Sequence, residues 1–407
     1  MEKIKEILEK NNQEQLLKFV DELSDNEKNE LLQQISEIDF SLLDLLKDEN
    51  KQAKKGVITP ILDVARLTDI EANSDKYKEA GLEIIRQGKA AAVLLAGGMG
   101  TRLGSDKPKG MYNIGITKDV YIFEMIIRNL LDVVKEAGNY IHLFVMTSEK
   151  NHEDTTGFFA EKNYFGYDKN FIHFFKQSMA PATDYDGKIL LETKGRVATS
   201  PNGNGGWFKS MEDGNVMHIV DDEGIEWLNV FAVDNVCQRI CDPKFIGATY
   251  LSGKPCGAKV VAKASPDEKV GVLCNEDGRP SIVEYYELTK EMMEEKDKDG
   301  NYAYNYGVIL NYLLKVSDLK AIINDKLPVH IVEKKIKYVD DNGNEVSPET
   351  PNGYKFETLI LDMIHMLDGC LGYEVLRDYE FAPIKNKTGV DSVESARELL
   401  KKNGVSL

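Results

Sequence analysis

The organisation of this chain follows from one stretch, Ala90-Ala-Ala-Val-Leu-Leu-Ala-Gly-Gly-Met-Gly-Thr-Arg-Leu-Gly-Ser-Asp-Lys-Pro-Lys-Gly110. It begins with an uncharged apolar run, residues 90–96, which predicts a strand buried on both faces, as in a parallel sheet. The run then breaks into glycines interleaved with Arg102, Lys107 and Lys109. Glycines let backbone N–H groups approach a ligand, and a concave row of N–H groups binds anions. The stretch therefore predicts a buried strand followed by a phosphate-binding loop.

The spacing of this loop excludes two common phosphate-binding motifs. The dinucleotide fingerprint G-x-G-x-x-G requires a glycine where the chain has Leu103, and the glycine follows one residue later as Gly104. The Walker motif requires a glycine followed by Lys-Ser or Lys-Thr, which the loop lacks. The pattern that remains, L-A-G-G-x-G-T-R-L-G-x-x-x-P-K, resembles the signature of nucleotide-sugar pyrophosphorylases. A surface loop with chance glycines would not require Arg102, Pro108 and Lys109 in this order.

Length, composition and charge bound the class of protein. The chain has 407 residues, 42% of them apolar and 29% charged, and a net charge of −17. This length is typical of two or three domains. The acidic balance argues against a nucleic-acid-binding protein, whose footprint would be basic. Against this acidic background the loop is locally positive, which suits a polyanionic substrate.

The sequence also bears on compartment. No apolar run approaches 18 residues, and the start, Met1-Glu-Lys-Ile-Lys-Glu6, has no apolar region of a signal peptide. We therefore expect no membrane span. Among the five cysteines, Cys237 and Cys241 have no second pair nearby, which argues against a zinc site. We expect buried thiols and a cytoplasmic location.

Hydrophobic periodicity predicts the elements. Helical spacing in residues 1–50 predicts helices, one of them over 28–38 after an N-cap at Ser24. From residue 90 onward strands alternate with helices, which predicts an α/β fold with a mostly parallel sheet and a site at the carboxyl ends of its strands. The predicted strands are 90–96, 141–146, 172–175 and 228–233; the later helices are 120–137 and 392–402, with a β-hairpin in 328–353. The predicted parts are an N-terminal helical lobe at 1–60, a central domain at 61–325 and a C-terminal lobe at 326–407.

An acidic residue follows the fourth predicted strand. Asp234 lies directly after residues 228–233, at the edge of the sheet where ligands bind. Mg²⁺ prefers one or two carboxylates together with phosphate oxygens and water. Asp234 is therefore a candidate Mg²⁺ ligand, although the same residue could cap the next turn through its own side chain.

Three further features have the chemistry of a nucleotide site. The segment 200–206 is rich in glycine, and a close approach to a base and ribose would justify the entropic cost of ordering it. Gln177 follows the third predicted strand, and its amide offers the donor and the acceptor that match the edge of uracil. Lys385 follows a turn containing Pro383 and is a point charge suited to phosphate, although a solvated lysine is the default interpretation.

Taken together, residues 60–385 resemble eukaryotic-type UDP-N-acetylglucosamine pyrophosphorylases. The matching segments are 95–104, 108–112, 146–149, 163–166, 174–177, 186–192, 203–206, 233–235, 257–261, 351–353 and 373–377. The resemblance implies a central Rossmann-like nucleotidyltransferase domain, similar to the GT-A fold, between an N-terminal helical lobe and a small C-terminal lobe.

The resemblance also implies roles for individual residues. The nucleotide would contact Leu95, Ala96, Gly97, Gly98, Gly100 and Thr101, and Arg102 would hold its triphosphate. Lys109 would stabilise charge on the α-phosphate, Lys385 would bind the sugar phosphate, and Asp234 would bind Mg²⁺. Gln177 and Gly203 would bind uracil. The sugar would contact Asn204, Gly271 and Glu284.

Three positions depart from the family pattern. Val308 stands where the family usually has a sugar-binding Asn, and Leu359 and Leu361 replace aromatic residues beside the acetyl group. A lost amide removes a hydrogen bond to a sugar hydroxyl, and apolar pockets discriminate weakly. The preferred substrate is accordingly N-acetylglucosamine 1-phosphate or, with the same chemistry, glucose or galactose 1-phosphate.

The expected reaction is UTP plus sugar 1-phosphate giving UDP-sugar and diphosphate. A non-catalytic nucleotide-sugar sensor on the same fold is a remote alternative from another functional class, because it would have a damaged loop or metal site, and Arg102, Lys109 and Asp234 are all present. A nicotinamide-dependent oxidoreductase would need an intact G-x-G-x-x-G spacing, which fails here.

Overall fold

The computed structural model describes residues 1–47, 56–323 and 327–407. Its strands are β1 Ile58–Pro60, β2 Val64–Ala65, β3 Ala90–Leu95, β4 Leu143–Thr147, β5 Ile172–Lys176, β6 Met179–Pro181, β7 Thr183–Asp184, β8 Leu191–Thr193, β9 Arg196–Val197, β10 Thr199–Pro201, β11 Trp227–Ala232, β12 Cys256–Ala262, β13 Val272–Glu276, β14 Arg279–Val283, β15 Tyr306–Lys315, β16 His330–Lys334, β17 Tyr338–Val339, β18 Glu345–Val346, β19 Gly353–Glu357 and β20 Cys370–Glu374.

The α-helices of these residues are α1 Glu2–Lys10, α2 Asp25–Ser36, α3 Leu67–Ala72, α4 Ser74–Arg86, α5 Ile122–Ala137, α6 His152–Glu161, α7 Trp207–Asp213, α8 Met217–Asp222, α9 Pro243–Ser252, α10 Lys290–Glu294, α11 Val316–Ile322, α12 Ile360–Met366, α13 Arg377–Glu380 and α14 Val393–Lys402. Short 3₁₀ helices are Glu14–Leu17, Val20–Glu22, Phe40–Leu46, Thr101–Leu103, Lys109–Met111, Asn163–Gly166 and Lys169–Phe171. None of the described helices is long and apolar enough to cross a membrane.

The described residues form two compact units, and each is built from separate stretches of the chain. The smaller unit contains residues 1–47, 178–206 and 327–360, and the larger contains 56–177, 207–323 and 361–407. These units do not coincide with the parts predicted at 1–60, 61–325 and 326–407. The reason is long-range pairing: within the smaller unit, β19 pairs with β16 nearby in the chain and also with β7, where Gly353 lies opposite Asp184.

The larger unit is organised around a mostly parallel sheet. Its main order is β2-β20-β12-β15-β11-β3-β4-β5, with β13 joining β15, β14 and β1. The pairs β11–β3, β3–β4 and β4–β5 are parallel, whereas β15 runs antiparallel to both β11 and β12. All six residues of β3 are buried because helices pack on the sheet in one continuous core. The predicted α/β class with a mostly parallel sheet is confirmed.

The elements predicted around the loop are found with small shifts at their ends. The strands predicted at 90–96, 141–146, 172–175 and 228–233 are β3, β4, β5 and β11, and the helix predicted at 120–137 is α5. This helix begins at Ile122 because Tyr121 is its N-cap, and the Glu124 carboxylate accepts a hydrogen bond from the Tyr121 N–H at 3.2 Å.

The strand registers align the carboxyl ends of four strands. Leu95 lies opposite Ala232 on β11 and opposite Met146 on β4, and Thr147 lies opposite Lys176 on β5. The segments that follow β3, β4, β5 and β11 therefore leave the sheet at one edge, which is where an open α/β sheet binds ligands.

The smaller unit has its own core, which contains apolar residues of α1 and α2 together with Leu191 and Phe356. Helix α2 begins after a capping box, in which Ser24 accepts from the Glu27 N–H at 3.4 Å and Glu27 accepts from the Ser24 N–H at 2.9 Å. The predicted helices near the N-terminus are thus present, and the second starts before residue 28. The predicted hairpin within 328–353 is represented by β17 and β18.

All five cysteines are free thiols. Four are buried as expected, but Cys237 is half-buried.

Candidate active site

The residues that follow β3 form a closed loop. We call residues 96–109 the phosphate loop. The Lys109 N–H donates to the Gly98 carbonyl at 3.1 Å, and the Gly100 N–H donates to the Lys107 carbonyl at 2.8 Å. At the far side of the loop Gly104 has φ +69°, a left-handed conformation that favours glycine. These bonds hold the glycines in one fixed turn next to the end of β3.

An asparagine that sequence reasoning missed fastens the loop to the neighbouring strand. The Asn151 side chain is fully buried, accepts from the Ser148 N–H at 2.7 Å and donates to the Ala96 carbonyl at 2.9 Å. It therefore links the segment after β4 to the start of the phosphate loop. A single Asn before a helix gives no sequence signal beyond a helix cap, because its long-range partner is invisible in the sequence.

Gly97 and Gln177, both predicted nucleotide residues, lie side by side. A Cβ added to Gly97 would stand 2.5 Å from Nε2 of Gln177, closer than real Cβ contacts. Gln177 is 8% exposed, and its N–H donates to the Thr147 carbonyl at 2.7 Å. The glycine at 97 thus makes room for the Gln177 amide at the edge of the sheet.

The four predicted charged residues of the reaction centre interact electrostatically. Burial lowers the pKa of Lys109, and the charges of Arg102 and Lys385 lower it further, whereas the Asp234 carboxylate acts in the opposite direction. Since charges influence a pKa strongly only at short range, the structure brings residues from three distant segments to one place. Asp391 pairs with Lys385, so three cations and two carboxylates leave this place with a positive charge, as an anionic substrate requires.

Asp234 lies two residues beyond the end of β11 and is half-buried. Its backbone carbonyl accepts from the Ile384 N–H at 2.9 Å, and the preceding N–H, of Val233, donates to the Leu95 carbonyl at 3.3 Å. Its carboxylate makes no hydrogen bond or ion pair with the described part of the chain. The carboxylate is therefore available to a ligand beside the phosphate loop.

This donor set fits Mg²⁺ bound together with a substrate. Within residues 1–47, 56–323 and 327–407 no group of three or more His, Cys, Asp or Glu side chains could hold a metal alone. Mg²⁺ usually binds through one or two carboxylates and completes its coordination with water and substrate phosphates. Asp234, beside the phosphate loop, would supply the protein ligand that this mode needs.

Lys385 is fixed by a neighbour, and a second lysine of the same segment reaches the loop. The Lys385 Nζ lies 2.9 Å from Oδ2 of Asp391, and its N–H donates to the Asp391 carbonyl at 2.7 Å. Lys387 places its Nζ 2.8 Å from where a Cβ of Gly104 would stand. Sequence reasoning missed Lys387, because nothing in the chain order indicates that residue 387 lies over residue 104.

Three of the predicted sugar residues meet on the antiparallel side of the sheet. A Cβ at Gly271 would stand 3.5 Å from Cγ2 of Val308 and 3.6 Å from Oε1 of Glu284, with Ile282 nearer still at 2.9 Å. The Val308 N–H donates to the Gly271 carbonyl at 2.9 Å. Leu361 is half-buried in the same unit and is not among the nearest neighbours of Gly271.

The remaining predicted residues, Gly203, Asn204 and Leu359, belong to the smaller unit. Gly203 has φ +86°, and a Cβ there would stand 2.1 Å from the Thr358 carbonyl oxygen. The Asn204 side-chain oxygen accepts from the Ile360 N–H at 3.0 Å. The glycine is thus required by packing within its own unit, whereas the sequence had suggested that an approach to a ligand required it.

Comparisons with known proteins identify the family of this chain. A family model described as UTP–glucose-1-phosphate uridylyltransferase matches residues 42–405. The human UDP-N-acetylhexosamine pyrophosphorylase-like protein 1 is 39% identical over 80% of this chain, a match that spans 66% of the human protein. The UDP-N-acetylglucosamine pyrophosphorylase of Saccharomyces cerevisiae is 34% identical over 98% of this chain and 86% of its own length.

A solved structure is similar over almost the whole chain. The uridine diphosphate N-acetylglucosamine pyrophosphorylase of Trypanosoma brucei, solved with an inhibitor, superimposes with a TM-score of 0.83 at 27% identity. The match covers 97% of this chain and 82% of the trypanosomal chain.

Proposed function

The chain belongs to the UTP–glucose-1-phosphate uridylyltransferase family, and from that membership we propose that it transfers the uridylyl group of UTP to N-acetylglucosamine 1-phosphate, which yields UDP-N-acetylglucosamine and diphosphate. Members of this family are nucleotidyltransferases of UDP-sugar biosynthesis. The resemblance inferred from the sequence and its nucleotidyltransferase fold are confirmed by the relatives and by the trypanosomal structure. The observation that carries the proposal is the meeting of Lys109, Arg102, Asp234 and Lys385.

The phosphate loop would bind the triphosphate. Its glycines present backbone N–H groups at the end of β3, and Arg102 adds an exposed guanidinium that can contact phosphate oxygens in two places. Gln177, beside Gly97, would place its amide against the edge of uracil. Leu95 and Ala96 would contribute the apolar floor, since both are buried.

The chemical step needs little proton transfer. A phosphate oxygen of the sugar 1-phosphate forms a bond to the α-phosphorus of UTP, and the bond from this phosphorus to the bridging oxygen breaks. Diphosphate leaves with the electron pair. Since the attacking oxygen is already anionic, no general base is required, and catalysis depends on positioning and on charge neutralisation. Lys109 would neutralise the α-phosphate, Arg102 the departing diphosphate, and Lys385 the incoming phosphate.

Asp234 would hold Mg²⁺ against these phosphates. When bound there, the ion would supply positive charge to the phosphate oxygens, in addition to that of the lysines. Asp234 itself would fix the position of the ion, because two backbone hydrogen bonds hold it in place. Its own carbonyl accepts from the Ile384 N–H, and the N–H of the preceding residue, Val233, donates to the Leu95 carbonyl.

The sugar is the part of the proposal for which an alternative has support. Val308 and Glu284 both lie beside Gly271, and Val308 presents a methyl group there, where an amide would be able to bind a sugar hydroxyl. Sites that hydrogen-bond a hydroxyl discriminate by orders of magnitude, and apolar sites discriminate by much less. Glucose 1-phosphate and galactose 1-phosphate are therefore the second candidates, with the same chemistry.

A diphosphate-release assay tests the proposal. The protein, UTP and Mg²⁺ would be incubated separately with the 1-phosphates of N-acetylglucosamine, N-acetylgalactosamine, glucose and galactose. We expect the highest kcat/KM with N-acetylglucosamine 1-phosphate. A higher value with glucose or galactose 1-phosphate would favour the second candidates, and binding of UTP with no turnover on any sugar would favour a sensor.

A further inference from the structure

A lysine is buried in the sheet behind the candidate active site. Lys259 lies on β12 with none of its side chain exposed, yet all three hydrogens of its ammonium group have an acceptor. Its Nζ lies 2.5 Å from Oε2 of Glu380, 3.0 Å from the Arg239 carbonyl oxygen and 3.4 Å from Oδ2 of Asp242. A buried charge is tolerated only when it is paired and hydrogen-bonded in this way.

Glu380 connects this lysine to the segment that carries Lys385. Its carboxylate also accepts from the Arg239 N–H at 3.2 Å, while its backbone carbonyl accepts from Nδ2 of Asn235 at 2.7 Å. Glu380 is the last residue of α13, and residues 381–385 follow it and lie against the segment after β11, where Asn235 and Pro383 form a β-bridge. The Lys259–Glu380 ion pair and the Asn235–Pro383 bridge thus hold the two ends of the short segment 380–383.

Asn235 holds both sides of this connection. It is 1% exposed, donates to the Glu380 carbonyl, and accepts from the Ala382 N–H at 2.9 Å through Oδ1. One residue to each side, the Ile384 N–H donates to the Asp234 carbonyl at 2.9 Å. Asn235, the next residue after the candidate metal ligand Asp234, therefore fixes the segment that carries Lys385, the candidate phosphate-binding lysine.

We propose that Asn235, supported by the buried Lys259–Glu380 pair, is a positioning residue that sets Lys385 relative to Asp234 for the transfer step. The proposal rests on the proposed function, because it assigns the two residues that Asn235 connects to the reacting phosphates. A displacement of about 1 Å at a reacting centre can lower a rate by roughly 10²-fold. Two buried hydrogen bonds from one amide restrict that displacement.

Stability alone gives a weaker account of this network. Replacing a buried ion pair with apolar residues of similar volume is often neutral or stabilising, so a buried pair is poor evidence of a contribution to stability. The network here runs from Lys259 on β12 through Glu380 to Asn235 and Ala382, and it ends at the segment of Lys385.

A double-mutant cycle tests the proposal. The variants are Asn235→Ala, Lys385→Ala and the combination, with Asn129→Ala as the matched control. Asn129 donates to the Val236 and Gln238 carbonyls at 3.2 and 3.0 Å. These hydrogen bonds hold the same turn after β11, but they do not reach residues 380–385. The readouts are kcat, the KM for each substrate and the thermal unfolding midpoint.

The cycle has a defined expected result. Lys385→Ala should lower kcat by about 10²-fold, and Asn235→Ala by about 10- to 100-fold, with the KM for UTP within about twofold of the wild type. If Asn235 acts through Lys385, the double variant should resemble Lys385→Ala alone, and Asn129→Ala should keep its kcat. Additive losses of roughly 10³-fold or more in the double variant, or an equal loss of kcat in Asn129→Ala, would overturn the proposal.

A second pair of variants covers the case in which Asn235→Ala does not fold. Lys259→Met removes the lysine partner of both the Glu380 and the Asp242 carboxylates, and Asp242 keeps Arg239 at 3.7 Å. Adding Glu380→Gln makes the group at residue 380 neutral, so no buried charge at that residue is left without the lysine. We expect the kcat of the double variant to be at least about tenfold higher than the kcat of Lys259→Met alone. Recovery of the unfolding midpoint without recovery of kcat would overturn the proposal. An inactive wild type would instead contradict the proposed function, so the two failures are distinguishable.

Discussion

Two adjacent glycines of the phosphate loop offer a matched test of the site geometry. In Gly97→Ala, the added Cβ would stand 2.5, 2.9 and 3.0 Å from Nε2, Cδ and Oε1 of Gln177. The Gln177 amide is nearly buried and cannot move to solvent without leaving its position. In Gly98→Ala, the added Cβ has no neighbour within 4 Å. The two substitutions are chemically identical and differ only in what the methyl group meets.

The expected magnitudes follow from these distances. Inserting a methyl group into a filled site typically costs about 1–3 kcal/mol. Because the methyl group meets only the end of the flexible Gln177 side chain, Gly97→Ala should lower the free energy of unfolding by about 1 kcal/mol, the lower end of that range. Gly98→Ala should leave it unchanged within about 0.5 kcal/mol. A displaced Gln177 amide should also weaken UTP binding, by about tenfold if one hydrogen bond of about 1.4 kcal/mol is lost.

Urea unfolding and a calorimetric titration with UTP measure the two quantities. Gly98→Ala should weaken UTP binding without affecting stability, because its methyl group occupies the open space assigned to the triphosphate. Gly97→Ala combined with Gln177→Ala should regain stability relative to Gly97→Ala, because the atoms that the methyl group meets are removed. Equal stability losses in Gly97→Ala and Gly98→Ala, or no loss in either, would refute the reasoning.

Three further predictions concern charge and substrate choice. Burial lowers the pKa of Lys109 below the ordinary lysine pKa of about 10.4, so in the free enzyme this group should lose its proton at a lower pH than a solvated lysine. The kcat/KM for UTP should therefore fall as the pH rises through the pKa of Lys109. Lys109→Arg, which stays protonated, should shift that fall to higher pH in a pH–rate profile, and an unchanged profile would exclude Lys109 as its source. Lys387→Ala should raise the Kd for diphosphate about threefold to tenfold in a calorimetric titration, given its place over Gly104, while Lys298→Ala on a distant turn should not. Val308→Asn should raise the ratio of kcat/KM for N-acetylglucosamine 1-phosphate to that for galactose 1-phosphate, because an amide can hydrogen-bond a sugar hydroxyl. An unchanged ratio would place sugar choice elsewhere.

A feature could be predicted from the sequence when it depended on residues that are close together in the chain. The strand at residues 90–95 and the loop after it could be predicted because an uncharged apolar run and a glycine cluster each act over a few neighbouring residues. Asp234 and Gln177 could be assigned to the same edge of the sheet because parallel strands with connecting helices align their carboxyl ends. These inferences needed no knowledge of distant pairings.

Distant pairings account for what the sequence did not reveal. The three predicted parts missed that residues 178–206 and 327–360 form one unit with the N-terminal helices, because β19 pairs with β7 across that separation. The glycine at 203 was explained by a ligand, but the Thr358 carbonyl already excludes a side chain there. Lys387 and Asn235 acquire their partners only after folding, so residue type and spacing carry no trace of them.

The central claim is that the cationic group around Lys109 neutralises the phosphates during uridylyl transfer. Its most direct measurement is single-turnover diphosphate release from UTP and N-acetylglucosamine 1-phosphate, with Lys109→Ala compared with the wild type and with folding checked by circular dichroism. If Lys109 neutralises the phosphates, the variant should fold but its rate should fall by about 10²-fold or more, a loss of roughly 3 kcal/mol of transition-state stabilisation. A folded Lys109→Ala variant that releases diphosphate at nearly the wild-type rate would contradict it.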